Sequence, residues 1–343
     1  MSGPRTLFLQ HEQRRYYWEE PGHLELYLPM VGSGLLGEVR TIPYQRDMRW
    51  ILNELDNGAN SSKLQHLPAA GERLRLMLDA QMREFRPDLV VYSLTWVQEA
   101  LPPEVLGNLK DAYGFKLFSQ IWDYDESNPL LVDYDRRIIA VSDLVSIADS
   151  RARIERIRRR EPPYANYTNV DVVRFLPTIP EPGLFKPAGR RRFGVTIAGS
   201  SEGRRVEVVR ALAEAGVDFH RAGGLVAGDA FLSTEEYART LAESKIVINT
   251  QTAPERVQLK GRVAQVLSCG SFLLEERNPE SEQFLDGYSV DLWSNPAELV
   301  DKIQWWLAHP AQRELAADLA RARYVREHNP VTYTRTILDA VGL

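Results

Sequence analysis

Short β-rich runs alternate with helix-spaced runs along almost all of this 343-residue chain, and the alternation restarts after a proline-rich break. That pattern constrains the fold more than any other feature. A parallel strand pair needs a long crossover, and a helix is the usual crossover. Repeated β-α alternation therefore predicts parallel sheets with helices on both faces. Residues 6–10 read as a first strand. Leu74, Met77, Leu78, Met82 and Phe85 share one helical face. Leu89-Val90-Val91-Tyr92-Ser93-Leu94 is a continuous apolar run, as expected of a strand buried on both sides. Pro102-Pro103-Glu104 opens a helix, and residues 115–122 and 144–148 are further strands. The second half repeats the scheme, with strands at 193–198, 217–220, 245–249, 271–275 and 289–293. Helices are expected at 204–215, 234–244 and 262–269, with a long helical region from Asn295-Pro296 that breaks at Pro310 and a last helix after Pro330.

Residues 161–190 hold Pro162, Pro163, Pro177, Pro180, Pro182 and Pro187. Proline removes a backbone donor and restricts its predecessor, so no long regular element fits between Phe175 and Pro187. This segment is expected to join two domains, 1–185 and 186–328. Residues 329–343 form a terminal helix expected to pack back toward the first domain. Ligands of such sheets lie beyond the carboxyl ends of the strands, so the loops after strands are the places to search.

Composition narrows the function. The net charge of −5 does not favour a nucleic-acid partner, so anion binding must come from local clusters. The single cysteine, Cys269, cannot form an intramolecular disulfide, which fits a reducing compartment such as the cytoplasm. Its apolar neighbours Val266 and Leu267 suggest a buried structural thiol. The N-terminal apolar stretch is short for a signal peptide, and no segment approaches the ~18 apolar residues of a membrane span. Six arginines between Arg151 and Arg160 leave open a peripheral contact with anionic lipid at the inner membrane face; a solvated helix face is the plainer reading.

Three constellations could carry chemistry. Gly199-Ser200-Ser201-Glu202-Gly203 follows a strand and leads into a helix whose first turn holds Arg204 and Arg205. Backbone N–H groups and the helix dipole there suit a phosphate, and a bound anion would reverse the unfavourable placement of cations at a helix start. Lys260-Gly261-Arg262 repeats the arrangement before the next predicted helix. Two cationic helix starts in one α/β domain fit a single polyanion. The third runs from Glu275 to Gly287, a run of donors and acceptors at a strand end that could meet sugar hydroxyls or simply form an acidic surface loop. In the first half, His11 and Glu12 follow the first strand, and Asp123 with Tyr124, Asp125 and Glu126 follows another. A carboxylate there could accept an acceptor's proton, although strand ends also carry Asp as a helix cap. No Walker-type loop, no Gly-x-Gly-x-x-Gly after the first strand and no His/Cys metal cluster is found, so neither a metal nor another cofactor is expected.

Lys245-Ile246-Val247-Ile248-Asn249, the stretch from Leu259 to Leu274, Arg277-Asn278-Pro279-Glu280, Phe284 and Asp286-Gly287 resemble the CgeB-like group of GT-B glycosyltransferases, near the group 1 glycosyl transferases. Trp293, Glu298-Leu299, Ala308-His309-Pro310 and Tyr324–His328 continue the resemblance, which covers about residues 170–330. It implies a metal-independent GT-B fold of two Rossmann-like domains facing a central cleft, with a nucleotide-sugar donor in the second. Gly199 and Ser200, with Ser201, Arg204 and Lys260 beside them, would lie against the diphosphate, and Arg262 would pair with it. Arg277 and Asn278 would fall near the donor sugar. Gln265 stands where the family usually has a glutamate for the ribose, and Trp122-Asp123 stands where many relatives have His-Asp. Catalytic work would then fall to Asp123, Glu12 or His11.

The resulting expectation is a glycosyltransferase that moves a sugar from a nucleotide diphosphate sugar to a hydroxyl of a glycan, lipid-linked or small-molecule acceptor, as in polysaccharide biosynthesis. A non-catalytic partner subunit and a nucleotide-sugar epimerase are the alternatives.

Overall fold

The computed structural model describes residues 3–9, 22–44, 51, 67–94, 100–122, 126–199, 203–223, 232–251 and 257–343. The chain divides into two compact units, each built on one parallel sheet.

The first unit runs to Leu176 and includes the terminal segment Pro330–Leu343. Its elements are β1 (Thr6–Leu9), a π-helical turn running into α1 (Leu28–Gly32), β2 (Val39–Ile42), α2 (Leu67–Phe85), β3 (Leu89–Leu94), α3 (Pro103–Tyr113), β4 (Lys116–Ile121), α4 (Pro129–Val141), β5 (Leu144–Ile147), α5 (Arg151–Arg158) and β6 (Val173–Phe175). The six strands lie in the order β2-β1-β3-β4-β5-β6, all parallel. All six residues of β3 are buried, as the absence of any polar alternation in its sequence requires. Gly114 ends α3 at φ 74°, a conformation that glycine adopts without strain.

Part of the proline-rich segment differs from the expectation. Val173–Phe175, which ends where the stretch read as a linker begins, is an edge strand paired with β5 that the sequence reading did not place. Three residues are too few to show a period, and the prolines on both sides hid the strand.

The arginines of α5 are engaged within their own unit. Arg153 forms a buried pair with Asp135 at 3.1 Å, and Arg151 lies over the Phe175 ring at 3.7 Å. Arg156 meets Glu126 at 2.7 Å, Arg158 meets Glu155 at 3.1 Å, and Arg160 Nε donates to the Tyr167 carbonyl. Arg159, with a 3.8 Å approach to Glu161, is exposed. Ser150 caps this helix, accepting from the Arg153 N–H.

The second unit, from Pro177 to Asn329, contains β7 (Phe193–Ala198), α6 (Arg204–Glu214), β8 (His220–Ala222), α7 (Thr234–Ala242), β9 (Ser244–Asn249), α8 (Gly261–Cys269), β10 (Phe272–Glu276), α9 (Pro279–Phe284), β11 (Asp291–Trp293), α10 (Pro296–Ala308) and α11 (Pro310–Glu327). Its parallel strands take the order β11-β10-β9-β7-β8. The strand expected at 217–220 lies slightly later, at His220–Ala222. The core gathers Val195, Ile197, Val208, Leu212, Ile246, Ile248, Phe272, Leu274 and Trp293. Cys269 is buried in α8. The final helix α12 (Pro330–Val341) belongs to the first unit and lies against α1, β4 and β5.

The order of this second sheet places the site. From β7 the chain first moves to β8 on one side, then crosses to β9 on the other. Loops leaving β7 and β9 therefore diverge, which opens a crevice beyond their carboxyl ends. Gly199 and Asn249 stand at those ends.

Candidate functional site

At the carboxyl end of β7 the backbone turns at Gly199, with φ +103°, and its N–H donates to the Ala222 carbonyl at 2.8 Å. Positive φ here is a position for glycine. A methyl group at Gly199 would stand 2.5 Å from Nη2 of Arg262 and 3.1 Å from Nη1 of Arg205. Two guanidinium groups, from the first turn of α6 and the first turn of α8, thus flank one bare stretch of backbone. Neither helix start is capped by its own N-cap side chain: Gly203 has none, and Lys260 makes no capping bond. Backbone N–H groups and the positive dipole ends of both helices add to the charge of the arginines.

The arginine of α8 is held from two sides. Its Nη1 donates to Asn249 Oδ1 at 2.6 Å, and its Nε donates to the Tyr237 hydroxyl at 3.2 Å. Tyr237 in turn donates to Gln265 Oε1 at 3.1 Å. Asn249 Nδ2 donates to Glu275 Oε2 at 2.6 Å. Side chains from α7, α8, β9 and β10 therefore form one continuous network ending in a fixed guanidinium. Arg205 is almost fully buried, and its Nη2 reaches toward the Thr250 carbonyl.

Two carboxyls lie beneath these cations. Glu275 is fully buried, and burial pushes its pKa up to about 8. Glu276 is nearly buried, its pKa is also raised by burial, and it accepts from the Gln251 N–H at 2.8 Å while pairing with Arg204 Nε.

The sequence-predicted residues separate into distinct groups. Gly199 and Arg262 come together, and Arg205 rather than Arg204 joins them. Consecutive helical residues point about 100° apart, so the two arginines of the first turn cannot share one direction. Arg204 turns to Glu276 and to the Ser294 carbonyl. Lys260 donates to Gln258 Oε1 at 2.6 Å. Gln265, expected at a ribose, is buried with its carbonyl oxygen facing Tyr237. Asn278 caps α9, accepting from the N–H groups of Glu280 and Ser281 at 3.0 Å, and its Nδ2 donates to the Glu276 carbonyl. Arg277 is half-exposed and pairs with Glu282 at 2.5 Å. His11, Glu12, Asp123, Ser200 and Ser201 lie outside the described residues. Asn249 and Tyr237 were given no role from the sequence, and Glu275 only a place at the head of a donor-and-acceptor run. Two adjacent glutamates closing an apolar strand were the available signal, since a central parallel strand is covered on both faces.

Residues 184–339 match the family described as Glycosyl transferase-like. Solved structures extend the likeness to the whole chain. HepE of Anabaena, determined in complex with UDP-glucose, is 14% identical, with 99% of each chain covered and a TM-score of 0.62. A glycosyltransferase from Rickettsia africae is 9% identical over 99% of this chain and 98% of its own, with a TM-score of 0.56. The UDP-GlcNAc 2-epimerase of Neisseria meningitidis is 10% identical over 98% of each chain, with a TM-score of 0.54. No curated protein matches the chain. Family and fold together make it a glycosyltransferase of the GT-B type. Among the described residues, no helix is long and apolar enough to cross a membrane.

Proposed function

We propose that this glycosyltransferase takes its sugar from a nucleoside diphosphate sugar, with the diphosphate held at Gly199 between Arg205 and Arg262. The convergence of two guanidinium groups on one glycine at the switch point of the sheet carries this reading. Like charges brought that close repel, and a bound anion relieves that repulsion. The glycine leaves room for a phosphate to reach the backbone. The UDP and UDP-glucose bound to HepE, which shares the fold, support uridine as the first base to test.

As the glycosidic bond breaks, negative charge collects on the departing diphosphate. Arg262 is already oriented by Asn249 and Tyr237, so it stabilises that charge without first having to reorganise. A guanidinium presents two parallel donors to a phosphate, which fixes its direction as well as its charge. In this reading Arg262, Arg205 and the helix starts supply the stabilisation that a divalent cation gives to other transferases, and no metal is needed. The acceptor is a hydroxyl of a glycan, lipid-linked or small molecule. Its proton is assigned to Asp123 or Glu12, with His11 beside Glu12, because these groups directly follow strands of the first unit in sequence.

A thermal-shift panel of UDP, GDP, TDP, CMP and their sugars, with wild type beside Arg262→Ala, tests the donor assignment. Ligand at 100 times Kd adds about 2.7 kcal/mol of stability. One nucleoside diphosphate is expected to shift the wild type and to shift Arg262→Ala far less. No shift with any nucleotide refutes the donor site. Turnover of the nucleotide sugar alone, with epimerised product, would favour the epimerase reading instead.

A further inference from the structure

We propose that Glu275 is a positioning residue of this donor site: through Asn249 it fixes the direction in which the Arg262 guanidinium is held beside Gly199. The proposal rests on the reading of Arg262 as a diphosphate ligand.

Asn249 and Glu275 are register partners on the adjacent strands β9 and β10. The amide of Asn249 has a donor end and an acceptor end, and on its own it could present either one to α8. A guanidinium has only donors, so Arg262 needs the oxygen. Glu275 supports the same choice from the other side: Asn249 Nδ2 donates to Glu275 Oε2, and Oδ1 accepts from Arg262 Nη1. The two bonds are 2.6 Å each. Glu275 is fully buried, so it does not touch the ligand, and it orients Arg262 through Asn249.

Packing does not explain a carboxyl here. An apolar side chain would fill the same volume without loss of hydration, and Glu275 Oε1 has no hydrogen-bond partner among the described residues. The charged groups around it are Arg262 and Lys260 on the α8 side and Glu276 on its own strand; burial outweighs the two cations and raises its pKa to about 8. Near neutral pH the carboxyl therefore keeps its proton, carried on Oε1 because Oε2 is the acceptor. The amide is oriented without a negative charge being placed under the diphosphate. Above about pH 8 the group ionises, and the orientation persists while the potential at the site falls.

The test is calorimetric titration of wild type, Glu275→Gln, Glu275→Ala and Arg262→Ala with UDP and UMP at pH 7 and pH 9. The UDP-over-UMP affinity ratio isolates the distal phosphate and cancels the titration of the base. At pH 7 the ratio should fall about tenfold in Glu275→Ala, the loss of one charge-assisted bond, and stay near wild type in Glu275→Gln, which keeps an oxygen for Asn249. From pH 7 to pH 9 the wild-type ratio should fall by about threefold, the order expected of one nearby charge screened as in water. Glu275→Gln, which cannot ionise, should show no such fall. If Glu275→Ala does not fold, the pH comparison of wild type with Glu275→Gln decides alone. An unchanged ratio in Glu275→Ala, equal losses of UDP and UMP, or an equal pH trend in Glu275→Gln overturns the proposal. A ratio that Arg262→Ala leaves intact refutes the donor site itself; loss in Arg262→Ala with none at Glu275 refutes only the positioning role.

Discussion

Replacing Gly199 by alanine tests the convergence of cations directly, because a matched control exists. Gly199 has φ +103° and Gly216 has φ +69°, so alanine is strained at both. That strain is worth about 1–3 kcal/mol at either position. The two differ in what the new methyl meets. At Gly216 there is nothing within 4 Å, whereas at Gly199 the methyl stands 2.5 Å from Arg262 Nη2. Ordinary contact begins at 3.4 Å, so the guanidinium must retreat by 3.4 − 2.5, or 0.9 Å. Arg262 is held by Asn249 and Tyr237, and such a retreat away from Asn249 would lengthen their 2.6 Å bond to the limit of hydrogen bonding. Loss of a hydrogen bond to a charged group costs about 1.5–3 kcal/mol, which corresponds to about a tenfold or greater loss of UDP affinity. Thermal melts and UDP titrations of Gly199→Ala and Gly216→Ala separate the two effects. Both should lower the melting temperature, by about 2–4 °C for each kcal/mol in a unit of this size. Only Gly199→Ala should weaken UDP. Equal UDP affinity in the two variants would refute the close approach at Gly199, and an unchanged melting temperature in both would refute the strain argument.

Other predictions concern the carboxylates and the thiol. Arg204→Ala leaves Glu276 nearly buried without its ion pair and should destabilise the protein by about 3 kcal/mol in urea unfolding. Arg277→Ala removes a half-exposed pair with Glu282 and should cost about 0–1 kcal/mol. Asp135 is fully buried, and burial raises its pKa from 3.8 to about 7. The folded state therefore binds this proton more tightly than the unfolded chain, and its contribution to stability falls as pH rises from 3.8 to about 7. Melts of wild type minus Asp135→Asn should show that slope and level off above pH 7; a flat difference would refute it. The thiol of Cys269 is buried and pushed up to about 12, so a thiol-reactive dye should label it only after unfolding.

The alternation that predicted two parallel sheets rests on residues whose burial is set locally. Leu89–Leu94 reads as a strand because a short, nearly all-apolar run is what a strand covered on both faces requires. Ser233 and Glu236 read as the start of α7 and form a capping box there. Gly199, Lys260 and Arg262 were visible for a related reason: a glycine or a cation at a helix start is unusual enough to stand out without any partner. What could not be read were relations between strands. Nothing near Arg204 and Arg205 tells which of the two turns toward Gly199, because that depends on where Glu276 and Ser294 lie in the folded sheet. Asn249 and Glu275 are separated by 26 residues and become neighbours only because β10 pairs with β9 in one particular register. A shift of that register by a single residue would point Glu275 to the opposite face and leave Asn249 without its acceptor. The acidic pair Glu275-Glu276 looked like the start of a surface loop for the same reason. Its burial follows from strand order, and strand order is a property of the whole unit. The residues that orient Arg262 are thus legible only after the sheet is assembled, while those expected to touch a phosphate are legible before it.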